Sequence, residues 1–314
     1  MVFNTGSALL DAIVLAVVAR DRRSTYYALK EVGIECMVIH AADVPTTQYE
    51  EVMKTDRVDS VKLVRSLKAG LLKGIYIREK ENIDDRSVVR IRKTIRKTIQ
   101  KQLSGYKARV KHMLHCNGVS LPERFEKPGS HWSKAFIKWL KEDVRLLSST
   151  RNSLDLLIRQ VETIRMTLLE ATKMMRLLSQ TERYKRKFDL LMTVPGIGVA
   201  VSMCILTEVY DVRRFHNENQ FAAYLGLIPT SHSSGDKIAH GEMTFRGNKQ
   251  LGPMIIEAAW ITICKDAGLG SLYLRYKERM KPQEAIVRIA RKLSNIIFSI
   301  LKNEKEYVSY QTGN

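Results

Sequence analysis

Two groups of residues in this chain have the types and spacing to do chemistry on a phosphodiester. The first is Ser233-Ser234-Gly235. A serine beside glycine in a turn presents an exposed hydroxyl, and that oxygen attacks phosphorus when it is activated or when the phosphate is polarised. Lys237, His240, Arg246 and Lys249 stand close by in the sequence as sources of positive charge. On spacing alone the plainer reading, a common Ser-Ser-Gly loop, is favoured. The second group is Asp56 and Asp59 in Lys54-Thr55-Asp56-Arg57-Val58-Asp59. Carboxylates three apart at a helix start share one face. They can share a divalent metal, which activates water and stabilises a leaving oxygen. Helix capping is the plainer alternative, because aspartate is favoured in a first turn.

A third segment would bind rather than react. In Thr193-Val194-Pro195-Gly196-Ile197-Gly198, two glycines precede an apolar stretch from Val199 to Val209. A tight hairpin there would expose amides at a helix N-terminus, which bind phosphate well. This is the pattern of a helix-hairpin-helix DNA-binding motif, with an ordinary turn as the alternative. His112, His115 and Cys116 have helical spacing, but with no further ligand nearby they do not indicate a metal site.

These residues need elements to hold them. The 314 residues suffice for two domains, and 45% hydrophobic content predicts folded cores. Lysine and arginine number 52 against 33 acids, a net charge of +19. A surplus of that size attracts polyanions, with nucleic acid the favoured partner and an anionic membrane surface the rival. The longest apolar run, Ala12–Ala19, is too short to span a bilayer, so no membrane partner is expected. It also lacks the marks of a signal peptide. The four cysteines have no metal-site or disulfide-framework spacing, and a reducing cytoplasm fits best.

Ile13–Val18 and Ile34–Ile39 read as strands flanking a helix at Ser24–Val32 that Gly33 ends. A helical segment, Asp56–Leu72, and a third short run, Gly74–Ile77, follow. This alternation predicts an α/β domain with parallel pairing. Arg86–Lys111 then carries ten lysines and arginines and no acid, with Val89, Ile91, Ile95 and Ile99 near helical spacing. A helix of one sign implies an anionic partner, and Arg92, Lys93, Arg96 and Lys97 are its candidate contacts. Asp84-Asp85 ahead of it reads as an N-terminal cap. Trp132, Phe136, Trp139 and Leu140 form an apolar stripe that reads as a packed helix face. Ser148–Lys187 is one long helical pattern, suited to a coiled-coil arm or a core helix. Phe188–Tyr310 reads as mostly helical, with turns at its glycines.

In order along the chain, these blocks resemble the IS110/IS1111/IS116 transposases, recombinases of bacterial insertion sequences. Lys54–Ser60, KTDRVDS, is similar to the family's KTDxxDA block and is followed by Lys62-Leu63 and Arg65. Leu191–Pro229 is similar to its PGIG block, its Phe-x-x-Tyr-Leu-Gly-Leu segment and its proline. Ser233–Trp260 is similar to SSG…RGN…L…EAAW, here Ser233-Ser234-Gly235, Arg246-Gly247-Asn248, Leu251 and Glu257-Ala258-Ala259-Trp260. Ala290-Arg291-Lys292-Leu293 matches the closing ARKL. Together they cover most of the chain from about Gly33 onward.

The resemblance implies an α/β plus all-α architecture. A RuvC-like (RNase H-like) domain, incomplete here, would occupy 1–115 with the basic helix 86–111. A helical linker and coiled coil would occupy 116–187, and a helical C-terminal transposase domain with a helix-hairpin-helix-like motif 188–314. It implies Ser234 as nucleophile, with Ser233 second, and Asp56 and Asp59 as the last two members of an Asp-Glu-Asp-Asp set holding Mg2+ or Mn2+. Gly196, Gly198, Arg246, Asn248 and Lys249 would join the basic helix in binding nucleic acid. DNA, a structured guide RNA and a second copy of the chain (dimer or tetramer) are the implied partners. The family's first aspartate and its glutamate have no recognisable counterparts: Asp11 lacks the expected neighbours, and Asp21 stands where the glutamate should. The N-terminus is therefore read as shortened or diverged, and two carboxylates hold a metal more weakly than four. Two other readings remain: a decayed transposase that only binds nucleic acid, and a RuvC-type metal-dependent nuclease acting without serine.

Overall fold

The β-branched runs near the start do pair. The computed structural model describes residues 12–15, 22–40, 43–52, 55–234, 237–243 and 247–309. Strand β1 (Ala12–Leu15) lies parallel to β2 (Glu35–Val38), in register from Ala12 opposite Glu35 to Leu15 opposite Val38. Helix α1 (Arg22–Glu31) makes the crossover, as parallel pairing requires. It ends where Gly33 turns to φ 76°. Helices α2 (Gln48–Val52) and α3 (Asp56–Lys68) follow. Ile39 and Val44, with Leu63, Leu67 and Leu72 packed on them, form a small core. The expected third strand at Gly74–Ile77 is absent: the segment is irregular, joined to β2 by one bond from Ile75 N to Val38 O, 2.7 Å. Ile75 and Tyr76 are exposed, so no buried face holds that run in a sheet. Asp11 and Asp21 lie outside the described residues.

The chain divides into two compact units, 1–79 and 80–314. The basic helix expected with the N-terminal domain therefore falls in the second unit. It is α4 (Lys80–Cys116), far longer than its charge run. Val89, Ile99, Val110 and Leu114 are buried along it at intervals near whole turns, so one narrow stripe packs while the basic residues surround it. Because α4 starts at Lys80, Asp84-Asp85 are not its cap; the Asp85 carboxylate instead pairs with Arg183 at 2.6 Å and accepts from the Tyr184 hydroxyl at 2.8 Å.

Beyond Gly118 come two short 3-10 turns and α5 (Lys134–Glu142), whose start is capped by Ser133 Oγ accepting from Phe136 N at 3.2 Å. The tryptophan stripe is a packed face, as its spacing predicts. Phe136 is fully buried and meets Phe125 edge-on at 5.1 Å between centroids, with Trp132, Trp139 and Leu140 around it. Helix α6 (Ser148–Ser179) runs antiparallel to α4, since Arg92 meets Thr172 while Val110 shares a core with Leu154 and Ile158. The long helical pattern breaks at Gln180–Thr181, and α7 (Glu182–Met192) is separate.

The largest core is built by α8 (Val199–Val209), α9 (Glu218–Leu225), α10 (Leu251–Lys265), α11 (Ala267–Lys277) and α12 (Pro282–Asn303) around α7. Among these helices stands one element the sequence reading missed, an antiparallel hairpin of β3 (Pro229–Ser234) and β4 (Lys237–Met243). Among the described residues, no helix is long and apolar enough to cross a membrane.

Candidate functional site

The site is organised around a carboxylate in an apolar helix. Every residue of α8 from Ser202 to Val209 is buried, including Glu208 at 1% exposure. A buried carboxylate needs charged partners. Helix α4 provides them: Arg86 Nη2 and Arg90 Nε each donate to the Glu208 carboxylate at 2.6 Å. Burial pushes the Glu208 carboxyl up, but the hydrogen bonds and charges of Arg86 and Arg90 outweigh it and hold the pKa at about 2. Asn248 completes the cluster. Its Nδ2 donates to Glu208 at 3.2 Å and to the Tyr224 hydroxyl at 2.9 Å, and its Oδ1 accepts from the backbone N–H of Gln250 and Leu251 at 2.9 and 3.2 Å.

Asn248, expected to contact nucleic acid, is thus engaged within the fold at both ends of its amide. It joins α8, α9 and the first turn of α10 at the point where the chain returns from the hairpin. Gly247 beside it packs on Gly226, the left-handed cap of α9; a Cβ at Gly247 would stand 2.2 Å from the Gly226 Cα. The hairpin therefore leaves and re-enters the helical core at one point. Ser233 and Ser234 are the last two residues of β3, opposite Ile238 and Lys237 of β4. Gly235 and Arg246 lie outside the described residues, and Lys249 is exposed.

The PGIG segment does join two helices, α7 and α8, by a tight turn. Its two glycines divide their roles. Gly196, at φ 88°, faces α10, where a Cβ would meet Thr262 Oγ1 at 2.5 Å, and Thr262 Oγ1 donates to Pro195 O at 2.7 Å. That position is structural. Gly198 is the N-cap of α8 and has open space around it, as a phosphate approach requires.

The four basic-helix candidates lie on one face of α4. Arg92, Lys93, Arg96 and Lys97 line one wall of a cleft of about 240 Å³, shared with Met175 of α6, Ala200 and Cys204 of α8, and Pro253, Met254 and Glu257 of α10. Lys93 Nζ donates to Gln250 O at 2.9 Å, and Arg92 Nε to Thr172 Oγ1 at 3.5 Å. Burial, and then the like charge of Arg96, push the Arg92 guanidinium below its usual range. Arg96 and Lys97 are exposed.

Asp56 and Asp59 occupy the first turn of α3, in the other unit from Ser234. Thr55 Oγ1 caps the helix by accepting from Val58 N at 3.3 Å, and Asp59 pairs with Lys62 at 2.9 Å. Among the described residues, no group of three or more His, Cys, Asp or Glu gathers where it could hold a metal. His112 and Cys116 approach to 3.5 Å, again without a third ligand.

Residues 188–274 match the profile of the Transposase IS116/IS110/IS902 family. Asp56, Asp59 and α4 lie outside that stretch. The putative transposase y4qE of Sinorhizobium fredii is 24% identical over 236 residues, covering 75% of this chain and 54% of its own length. The transposase for insertion sequence element IS1111A of Coxiella burnetii is 30% identical over 119 residues, 37% of this chain and 33% of that protein. The pilin gene-inverting protein of Moraxella bovis is 25% identical over 134 residues, 42% of each chain. The aligned part thus spans about half of y4qE and about a third of the IS1111A protein. The matched stretch holds the PGIG turn, the hairpin with its serines, and the Gly247-Asn248 return, and it is in these features that the chain is similar to the IS116/IS110/IS902 family of transposases.

Proposed function

We propose that the chain is a DNA transposase that cuts and rejoins strands through Ser234. The observation that carries this is the place of the serine: the end of a hairpin strand, inside the family-matched stretch, on a unit whose longest helix presents a one-sign basic surface. In the reaction, Ser234 Oγ attacks phosphorus. A serine–phosphate bond forms, one phosphorus–oxygen bond to a sugar breaks, and the serine proton is transferred as the sugar hydroxyl leaves. A hydroxyl from another DNA end reverses the step and frees the serine. One phosphodiester replaces another, so no energy source is consumed.

The unit at 1–79 is proposed as part of a RuvC-like fold, on its parallel β1–α1–β2 crossover. Asp56 and Asp59 are its proposed contribution to a Mg2+ or Mn2+ site, with further oxygen donors needed to complete it. No step is assigned to the metal. Helix α6 is the proposed coiled-coil arm of a homo-oligomer, because Met166, Leu169 and Leu177 are exposed along it. A structured RNA as guide accords with the family and with the basic surface.

The test is a denaturing gel of the chain after incubation with nicked element-end DNA and its flanking RNA. A covalent protein–DNA species is expected from the parent and from Ser233→Ala, and none from Ser234→Ala. An adduct surviving Ser234→Ala refutes the assignment. Binding without any adduct makes the chain a nucleic-acid-binding protein only, and metal-dependent cutting that survives Ser234→Ala makes it a nuclease.

A further inference from the structure

The cleft between α4, α8 and α10 has a composition that duplex binding does not require. Four cations stand on its α4 wall, and Ala200, in the first turn of α8, forms part of another. A phosphate there meets lysine and arginine. The lining also has apolar members with accessible surface, Met254 and Ala200, both half-buried, above the buried Met175 of the core. Methionine sulfur packs well on aromatic ring edges. At about 240 Å³ the space falls below the ~300–1,000 Å³ of drug-sized pockets. A duplex presents convex backbone and stacked bases, and touches only the rim of such a cavity. An unstacked base enters it.

We propose that this cleft seats one unpaired nucleotide of a single strand, with its base against Met254 and Ala200 and its flanking phosphates on Arg96 and Lys97. Glu257 at the same cleft is an acceptor for an exocyclic amino group on that base. The inference rests on the nucleic-acid-binding reading above and adds that the bound form is single-stranded and locally unstacked.

The test uses the full chain and a short oligonucleotide carrying 2-aminopurine, single-stranded or annealed to its complement. The expected result is about tenfold tighter binding of the single strand, with a change in 2-aminopurine intensity on binding. Ala200→Phe, which fills the cleft without altering charge, is expected to abolish that intensity change and most of the single-strand preference, leaving duplex affinity within about twofold. Met254→Gln, at a half-buried position that tolerates a polar side chain, is the second variant and is expected to weaken single-strand binding alone. Equal affinity for single strand and duplex in the parent overturns the proposal. So does unchanged 2-aminopurine response in both folded variants. Failure to bind either probe refutes the underlying nucleic-acid reading instead.

Discussion

Replacing Glu208 with glutamine tests the centre of the molecule. The side chain keeps its shape and loses its charge. Arg86, 11% exposed, and Arg90, 44% exposed, then face each other across a neutral amide. Breaking a buried ion pair by removing one partner costs about 3–5 kcal/mol. Titration gives a second route. The Glu208 carboxyl drops from an ordinary 4.5 to about 2 on folding. At about 1.4 kcal/mol per unit, that shift corresponds to about 3 kcal/mol of stability. Because the folded pKa is depressed, the contribution is complete above pH 4.5 and is lost as pH falls through about 2. Urea denaturation of parent and Glu208→Gln, followed by tryptophan fluorescence, should therefore show a gap of about 3 kcal/mol at pH 7. The gap should narrow steadily below pH 4.5, where the unfolded parent takes up a proton that folded Glu208 does not accept until about pH 2. A gap under about 0.5 kcal/mol at pH 7, or one that does not change with pH, refutes the role assigned to Glu208.

Gly247→Ala places a Cβ 2.2 Å from backbone that cannot yield, so a loss of about 3 kcal/mol or more is expected in the same denaturation assay, together with loss of adduct formation. Asp59→Ala removes only a half-exposed pair with Lys62; stability should change by less than about 1 kcal/mol, while strand exchange in Mg2+ should fall at least about tenfold if the carboxylate serves a metal. Phe136→Ala leaves a cavity in the second core, and a loss of about 3–5 kcal/mol is expected by thermal or urea melting.

The motif blocks were legible in the sequence because family likeness marks positions, not jobs. Gly196 and Asn248 stood out as members of binding motifs, and the structure shows them, with Gly247, making contacts between α8, α9 and α10. The tryptophan stripe and the β1–α1–β2 crossover followed from local periodicity alone. Glu208 was missed, although a signal was present: it is the single acid in the apolar run Val199–Val209, downstream of a helix with cations to spare. The β3–β4 hairpin had a signal too, since Gly235-Asp236 between two short runs is a hairpin connection. It was overlooked because Ser, His and Thr dilute the strand pattern. The extent of α4 was not legible, since its first turns are polar and are held by Arg86 and Asp85 reaching α8 and α7.

The contact between Gly226 and Gly247 has a consequence for how such chains diversify. Gly226 and Gly247 stand against each other, so the chain between them makes no net displacement. A longer segment closed at the same two ends adds little entropic cost. The serine-bearing segment is in that sense a cassette. A change of length within it leaves the Gly226–Gly247 contact and the Asn248 hydrogen bonds as the fixed ends that any such segment must meet.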